Sequence, residues 1–298
     1  MHNYHHRHES VKYAGIVTRL RNAGCVFAEE EARLILSSAQ SPQELSNMVE
    51  RRVAGLPLEH VIGWVEFCGL RIQVDPGVFV PRHRTEFLAR QAIALAQPGD
   101  VVVDLCCGTG ALGAALAAEL KHIELHAVDI DPAAVQCARS NIRSGNGIVY
   151  EGDLFEPLPV RLHNRVHILI ANAPYVPSEA IPLLPPEARI HESLAALDGG
   201  ADGLDVLRRI AASASSWLAK GGYLLVETSE RQALLTEDLF ARYGLHPRTI
   251  RSEEQDATVI IGMRTNQEAA SQADHLPART APPIPERGSA GNRQLHNK

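Results

Sequence analysis

The chain has 298 residues, with 29 Lys and Arg against 35 Asp and Glu and a formal charge of -6. That length suits one full α/β domain with a smaller companion, and the acidic balance argues against a protein that holds nucleic acid mainly by charge. No apolar run approaches the roughly eighteen residues of a membrane span and no signal-peptide core opens the sequence, so a soluble cytoplasmic protein is expected. The five cysteines form no C-x-x-C pair and read as reduced thiols. A catalytic role for the adjacent Cys106 and Cys107 is a minor alternative, and no metal site is expected.

Residues 1–10, MHNYHHRHES, carry four histidines and no apolar periodicity, which predicts a solvated tail able to bind metal only adventitiously. Residues 11–57 have helical spacing, with Ile16 and Leu20 on one face, Ala32, Ile35 and Leu36 on another, and Leu45, Met48, Val49 and Val53 on a third. Ser41-Pro42 opens the last of these helices. The stretch predicts a small helical domain for substrate or partner recognition. Residues 58–80 change to short β-rich runs broken at Gly63, Gly69 and Pro76-Gly77, a β-hairpin linker that could form one wall of a pocket.

From 81 to 264 helix and strand patterns alternate. Helices are expected at 81–96, 111–120, 131–144, 203–218 and 234–243. Strands are expected at 101–103, 125–128, 148–150, 166–171, 223–227, 249–252 and 258–263, with Lys220-Gly221-Gly222 ending the fourth helix. This alternation predicts an α/β fold: a mostly parallel sheet with helices on both faces, its ligands bound beyond the carboxyl ends of the strands. Residues 265–298 lose periodicity and collect Pro277, Pro282, Pro283 and Pro285. They are expected to be disordered, with a docking role for the PPIP segment a minor alternative.

The domain is organised around VVVDLCCGTGALG, Val101 to Gly113, a buried strand breaking at an acid into a glycine turn and a small-residue helix. Gly108 and Gly110 let the backbone approach a nucleotide-like ligand. Gly108, Gly110 and Gly113 also satisfy the G-x-G-x-x-G spacing of dinucleotide sites. Against that reading, Asp104, Asp129 and Asp153 each stand at or just beyond the end of an apolar run, and the loop has no Lys or Arg. A pyrophosphate would be repelled. S-adenosylmethionine suits such carboxylates better, with its sulfonium, its ammonium and a ribose diol that Asp129 can accept from. Asp153 is placed for an adenine amino group, or is a simple turn residue. A glycine turn kept only for packing is the alternative for the whole loop.

Directly after the 166–171 strand comes Asn172-Ala173-Pro174-Tyr175. Methyl transfer to a planar NH2 needs that nitrogen held in line with the donor by two acceptors on its N–H bonds. The Asn172 side-chain oxygen supplies one, and the Ala173 carbonyl, held extended by the following proline, supplies the other. Tyr175 would be a flat wall. An activated donor requires no metal, no covalent intermediate and no strong base. A strand-ending turn with a packed tyrosine is the plain alternative.

The segments DLCCGTGALGAALA, AVDIDPAAVQCARSN, GDLFEPLP, NAPYVPSEAIPLLPPEAR, GGYLLVE, PLEHVIGWVEFCGL and VDPGVFVPRHRTEFL resemble the HemK-type protein N(5)-glutamine methyltransferases, in a divergent, actinobacterial-type branch. The resemblance spans about Leu56 to Met263. It implies a Rossmann-like class I methyltransferase sheet behind a helical substrate-recognition module, with S-adenosylmethionine as donor and a protein glutamine as acceptor. By motif position it implies a cofactor site of Asp104, Cys106, Gly108, Thr109, Gly110, Asp129, Ile130, Asp153, Leu154 and Asn172. It implies an acceptor site of Asn172, Ala173, Pro174 and Tyr175. Three departures stand out. Ala173 replaces the usual proline, where a backbone carbonyl suffices; Cys106 stands where glycine is more common; and the module before Leu58 looks shorter than in members that methylate peptide-chain release factors. Release factor is therefore one candidate acceptor. Adenine-N6 nucleic-acid methylation, small-molecule N-methylation and non-enzymatic S-adenosylmethionine binding are the alternatives. Neither a membrane nor stable nucleic-acid binding is expected.

Overall fold

The computed structural model describes residues 2–142 and 147–265, with side chains from Lys12 onward. Four helices come first: α1 (His2–Asn22), α2 (Ala28–Ser38), α3 (Pro42–Val53) and α4 (Leu58–Ile62). Ser41 caps α3, its hydroxyl accepting from the Glu44 N–H at 3.2 Å with Pro42 in the first turn. Leu20, Ala28, Ala32, Ile35 and Val49 are fully or almost fully buried in a core belonging to these helices. Two expectations change. The stretch predicted as a solvated tail lies within α1, because a helix nucleated by its apolar turns extends at one hydrogen bond per added residue. Residues 58–62, assigned to the hairpin, form α4, with Val61 packed into the helical core and Gly63 closing it at φ 82°. The hairpin itself is β1 (Trp64–Phe67) and β2 (Leu70–Gln73), antiparallel with Trp64 opposite Gln73.

The main sheet has seven strands: β3 (Val101–Leu105), β4 (Glu124–Asp129), β5 (Ile148–Glu151), β6 (Val166–Ala171), β7 (Leu218–Thr228), β8 (Leu245–Ser252) and β9 (Ala257–Arg264). Their order is β5-β4-β3-β6-β7-β9-β8. The five strands from β5 to β7 are parallel, and β9 runs antiparallel to both of its neighbours. The helices α5 (Thr85–Leu95), α6 (Ala111–Glu119), α7 (Pro132–Ile142), α9 (Asp205–Trp217) and α10 (Ala233–Arg242) cover it, and a short α8 (Pro186–His191) lies in the segment after β6. Both faces are buried: Val101, Val103 and Leu105 pack with Ala211 and Trp217, while Val102 packs with Leu88 and Leu116.

Lys220-Gly221-Gly222, expected to end a helix, instead lies inside β7, where the pairing with β6 shifts register between Val166 and Ile168. A Cβ on Gly222 would stand 2.7 Å from the Val166 carbonyl oxygen, so the strands meet too closely there for a side chain. β8 begins at Leu245, earlier than expected, with Pro247 tolerated because β8 is an edge strand. Between β6 and α9 the chain forms single turns at Ser178–Leu183 and Leu194–Ala196 around α8, elements too short to leave a periodic signature. The proline-rich stretch beyond 265 lies outside the described residues. The order reverses between β3 and β6, and that switch point sets the crevice described next.

Candidate active site

β3 delivers the chain into the loop from Cys106 to Gly110 and then into α6. Cys106, Gly108 and Gly110 all have positive φ, at 54°, 55° and 75°. At Gly110 a Cβ would also stand 2.9 Å from Ile142 Cδ1. Asp129, closing β4, ties this loop down: Oδ2 accepts from the Gly108 N–H at 2.8 Å and Oδ1 from the Asp131 N–H at 2.9 Å. Asp104 lies beneath it, 0% exposed, and Oδ2 accepts from the Gly113 N–H at 3.0 Å. Burial pushes its carboxyl up to about 7, with the Gly113 hydrogen bond pulling back and the Asp129 charge adding to the rise.

The loop opens onto a cleft of about 230 Å³. Of the residues predicted for the site, Cys106, Gly108, Thr109, Asp129, Ile130, Asp153, Leu154, Asn172 and Pro174 line it. Asp104, Gly110, Ala173 and Tyr175 do not. Asp104 supports the loop from below, Gly110 starts α6, and Ala173 is buried at 5% exposure in the core under the sheet. Asn172 makes no side-chain hydrogen bond among the described residues, so its amide is free for a ligand. Asp153 is already paired, Arg209 Nη2 on α9 donating to its Oδ2 at 2.6 Å.

The opposite wall comes from the segment between β2 and α5, where Phe79 and Thr85 line the cleft. Arg82 Nη2 donates to both oxygens of Glu192 at 2.7 and 2.6 Å, and Glu192 Oε1 also accepts from the Val80 N–H at 3.2 Å. Burial raises the Glu192 carboxyl, and Arg82 opposes that rise. These bonds fasten the wall to the segment after α8. Phe79 belongs to the 58–80 segment expected as a pocket wall, but Arg82 and Glu192 were not predicted: they are separated by 110 positions, and only the fold pairs them.

Tyr175 departs most from expectation. Its hydroxyl donates to Glu227 Oε1 at 3.0 Å and accepts from Arg84 Nη2 at 2.7 Å, facing away from the donor cleft. A largely enclosed phenol needs such partners, and desolvation pushes its pKa up, making it a weaker acid. Gln232 Nε2 holds the Tyr175 carbonyl at 3.0 Å. Gly203 packs directly against that carbonyl, with a Cβ there standing 2.3 Å from the oxygen. The turn after β6 is thus braced by β7, by α5 and by the glycine loop before α9. Burial and the neighbouring carboxylates of Asp129 and Asp104 hold the Cys106 thiol protonated, which removes it as a nucleophile.

The cleft suits a cationic nucleoside. Asp129 and Asp153 face it, Arg209 is the one Lys or Arg among its lining residues and is already paired, and the buried Thr85 and Thr109 hydroxyls have no partner among the described residues. Residues 69–200 match the family model of the methyltransferase small domain. A release factor glutamine methyltransferase of Geobacter sulfurreducens is 39% identical over 68% of this chain and 72% of its own. One from Mycolicibacterium smegmatis is 36% identical over 78% of this chain and 85% of its own. The chain belongs to the release factor glutamine methyltransferase family.

Membership makes this family member an S-adenosylmethionine-dependent methyltransferase, as the glycine loop and the Asn172 turn together predict. Among solved structures, a methyltransferase from Pyrococcus furiosus aligns over 74% of this chain and all of its own, with a TM-score of 0.50 at 16% identity, a likeness of fold. The sheet is that of the class I methyltransferases.

Proposed function

We propose that this protein methylates the side-chain amide nitrogen of a glutamine in a peptide-chain release factor. What carries the reading is Asn172, a free amide at the end of β6 on the same cleft as the glycine loop and Asp129. When bound, S-adenosylmethionine supplies a methyl group already activated on a sulfonium. Asp129, kept in place by the Gly108 and Asp131 N–H groups, would hold its ribose diol, and the backbone of Cys106 to Gly108 would pack against it. Leu154, at φ 51°, and Asp153 line the same cleft and would border the base. Asn172 Oδ1 and the Ala173 carbonyl accept the two N–H bonds of the glutamine amide, turning its lone pair out of conjugation and toward the methyl carbon. The surplus amide proton becomes acidic on methylation and leaves to water, so no strong base is needed.

A protein acceptor fits the rim. Ile130 on the cleft is 57% exposed, and Leu183, Ile190 and Leu194, in the segment that supplies Ser193, Ala195 and Ala196 to the cleft, are 84%, 63% and 59% exposed. Exposed apolar groups on the cleft and in a segment that supplies part of its lining favour a macromolecular partner over a small polar substrate. A translation-factor substrate implies a cytoplasmic location; no helix among the described residues is long and apolar enough to cross a membrane. The test is incubation of the full chain with methyl-labelled donor and release factor, followed by peptide mass spectrometry. Label on one glutamine is expected; label on adenine or on a small metabolite contradicts the assignment.

A further inference from the structure

Behind Tyr175 lies a second pocket of about 440 Å³, separate from the donor cleft and bordered by Arg84, Tyr175 and the ends of β7 and β9. Two buried oxygens on residues lining it, Glu227 Oε2 and Thr228 Oγ1, have no hydrogen-bond partner among the described residues. The Glu227 side chain is 2% exposed, and its other oxygen is already taken by Tyr175 and Arg84. Unmade hydrogen bonds of this kind call for a donor.

The charge around them names the donor. Arg84 offsets Glu227, and Arg251 pairs with Glu230 at 2.8 Å. Glu253 and Asp256 also line the cavity and have no salt bridge among the described residues. Four carboxylates therefore line the cavity against two arginines that are both already paired, a balance that favours a cation over an anion. Its distance from the chemistry is short as well. Tyr175 stands three residues after Asn172, at most roughly 10 Å along an extended chain.

We propose that this cavity is an acceptor subsite that takes a lysine or arginine side chain of the substrate protein, about three residues from the methylated glutamine. The inference rests on the reading of the acceptor as a protein glutamine. Tyr175 is then the partition between the methyl-transfer site and the subsite, and Glu227 serves both: one oxygen positions Tyr175, the other receives the incoming cation.

The test uses fluorescein-labelled glutamine peptides in which a lysine is walked through the positions on either side of the glutamine, each matched to a norleucine peptide. Binding to the full chain is read by fluorescence anisotropy with adenosylhomocysteine present, so turnover is not required. At one position or two neighbouring ones the lysine peptide should bind about tenfold more tightly. In a Glu253→Gln, Asp256→Asn double variant that ratio should fall to near one. The ratio is taken within each protein, so partial unfolding cannot mimic the change. Equal binding of lysine and norleucine peptides at every position, or discrimination that survives the double substitution, overturns the proposal. Lysine preference in peptides that are never methylated would keep the subsite and remove the glutamine reading; methylation without preference would do the reverse.

Discussion

Cys106 occupies a left-handed backbone position, φ 54°, in the middle of the donor loop. Such a conformation costs an ordinary residue about 1–2 kcal/mol, which glycine avoids. Cys106→Gly should therefore hold stability within about 1 kcal/mol of the parent, while the β-branched Cys106→Val should lose about 2 kcal/mol or more, as read by urea denaturation. That this position favours glycine was legible only through the family resemblance. The orientation of Tyr175 was not, because its partners Glu227 and Arg84 are 52 and 91 positions away. Asp104 was legible as an important acid but not as a buried one. Its carboxyl is raised by burial from 3.8 to about 7, so between those values the folded protein holds a proton that the unfolded chain releases. Stability should then fall as pH rises through that window, and the loss should be complete above it. Asp104→Asn keeps an acceptor for the Gly113 N–H and removes the titration. Denaturation midpoints at about pH 5 and about pH 8 should show a smaller drop in the variant than in the parent.

At the scale of elements, the cleft depends on segments with little regular structure. The wall between β2 and α5 is held by Arg82 on Glu192, whose carboxylate is 1% exposed. Arg82→Ala leaves that charge buried with only the Val80 N–H, and should cost about 3 kcal/mol. Adding Glu192→Gln should recover part of the loss, and a double-mutant cycle by denaturation measures the coupling. The strands β3, β4 and β6 were legible as mostly apolar runs, β4 and β6 each holding one histidine, that end in acids or asparagine. The helix α4 was not: five residues give no period, and the glycines flanking it suit a hairpin equally well. Likewise Lys220-Gly221-Gly222 carries the composition of a helix stop, and only the close approach of β6 reveals that it is a break inside β7.

Across the whole molecule, the alternation of elements made the mostly parallel, helix-covered sheet readable before any contact was known, while the strand order that sets its switch point was not. The attachment of the helical module was not. Arg52, buried at 7% side-chain exposure, donates to Glu31 Oε2 at 2.6 Å within the module and to Glu187 Oε1 at 2.6 Å on α8, 135 residues on. This ion network joins the proposed recognition module to the segment that borders the cleft. Arg52→Met strands the buried Glu31 carboxylate and should cost about 3 kcal/mol. Glu187→Gln, at a 46% exposed partner, should cost less than about 1 kcal/mol. Thermal denaturation of the two variants side by side tests this ordering.

The central claim is that Asn172, which lines the donor cleft and is expected to touch donor and acceptor alike, matters chiefly by orienting the acceptor amide. It is tested most directly by Asn172→Ala, with calorimetric S-adenosylmethionine binding and release-factor methylation measured on the same preparation. Donor affinity should stay within about threefold of the parent while methyl transfer falls by about a hundredfold or more. Equal loss of both, or methylation that persists in the variant, would contradict it.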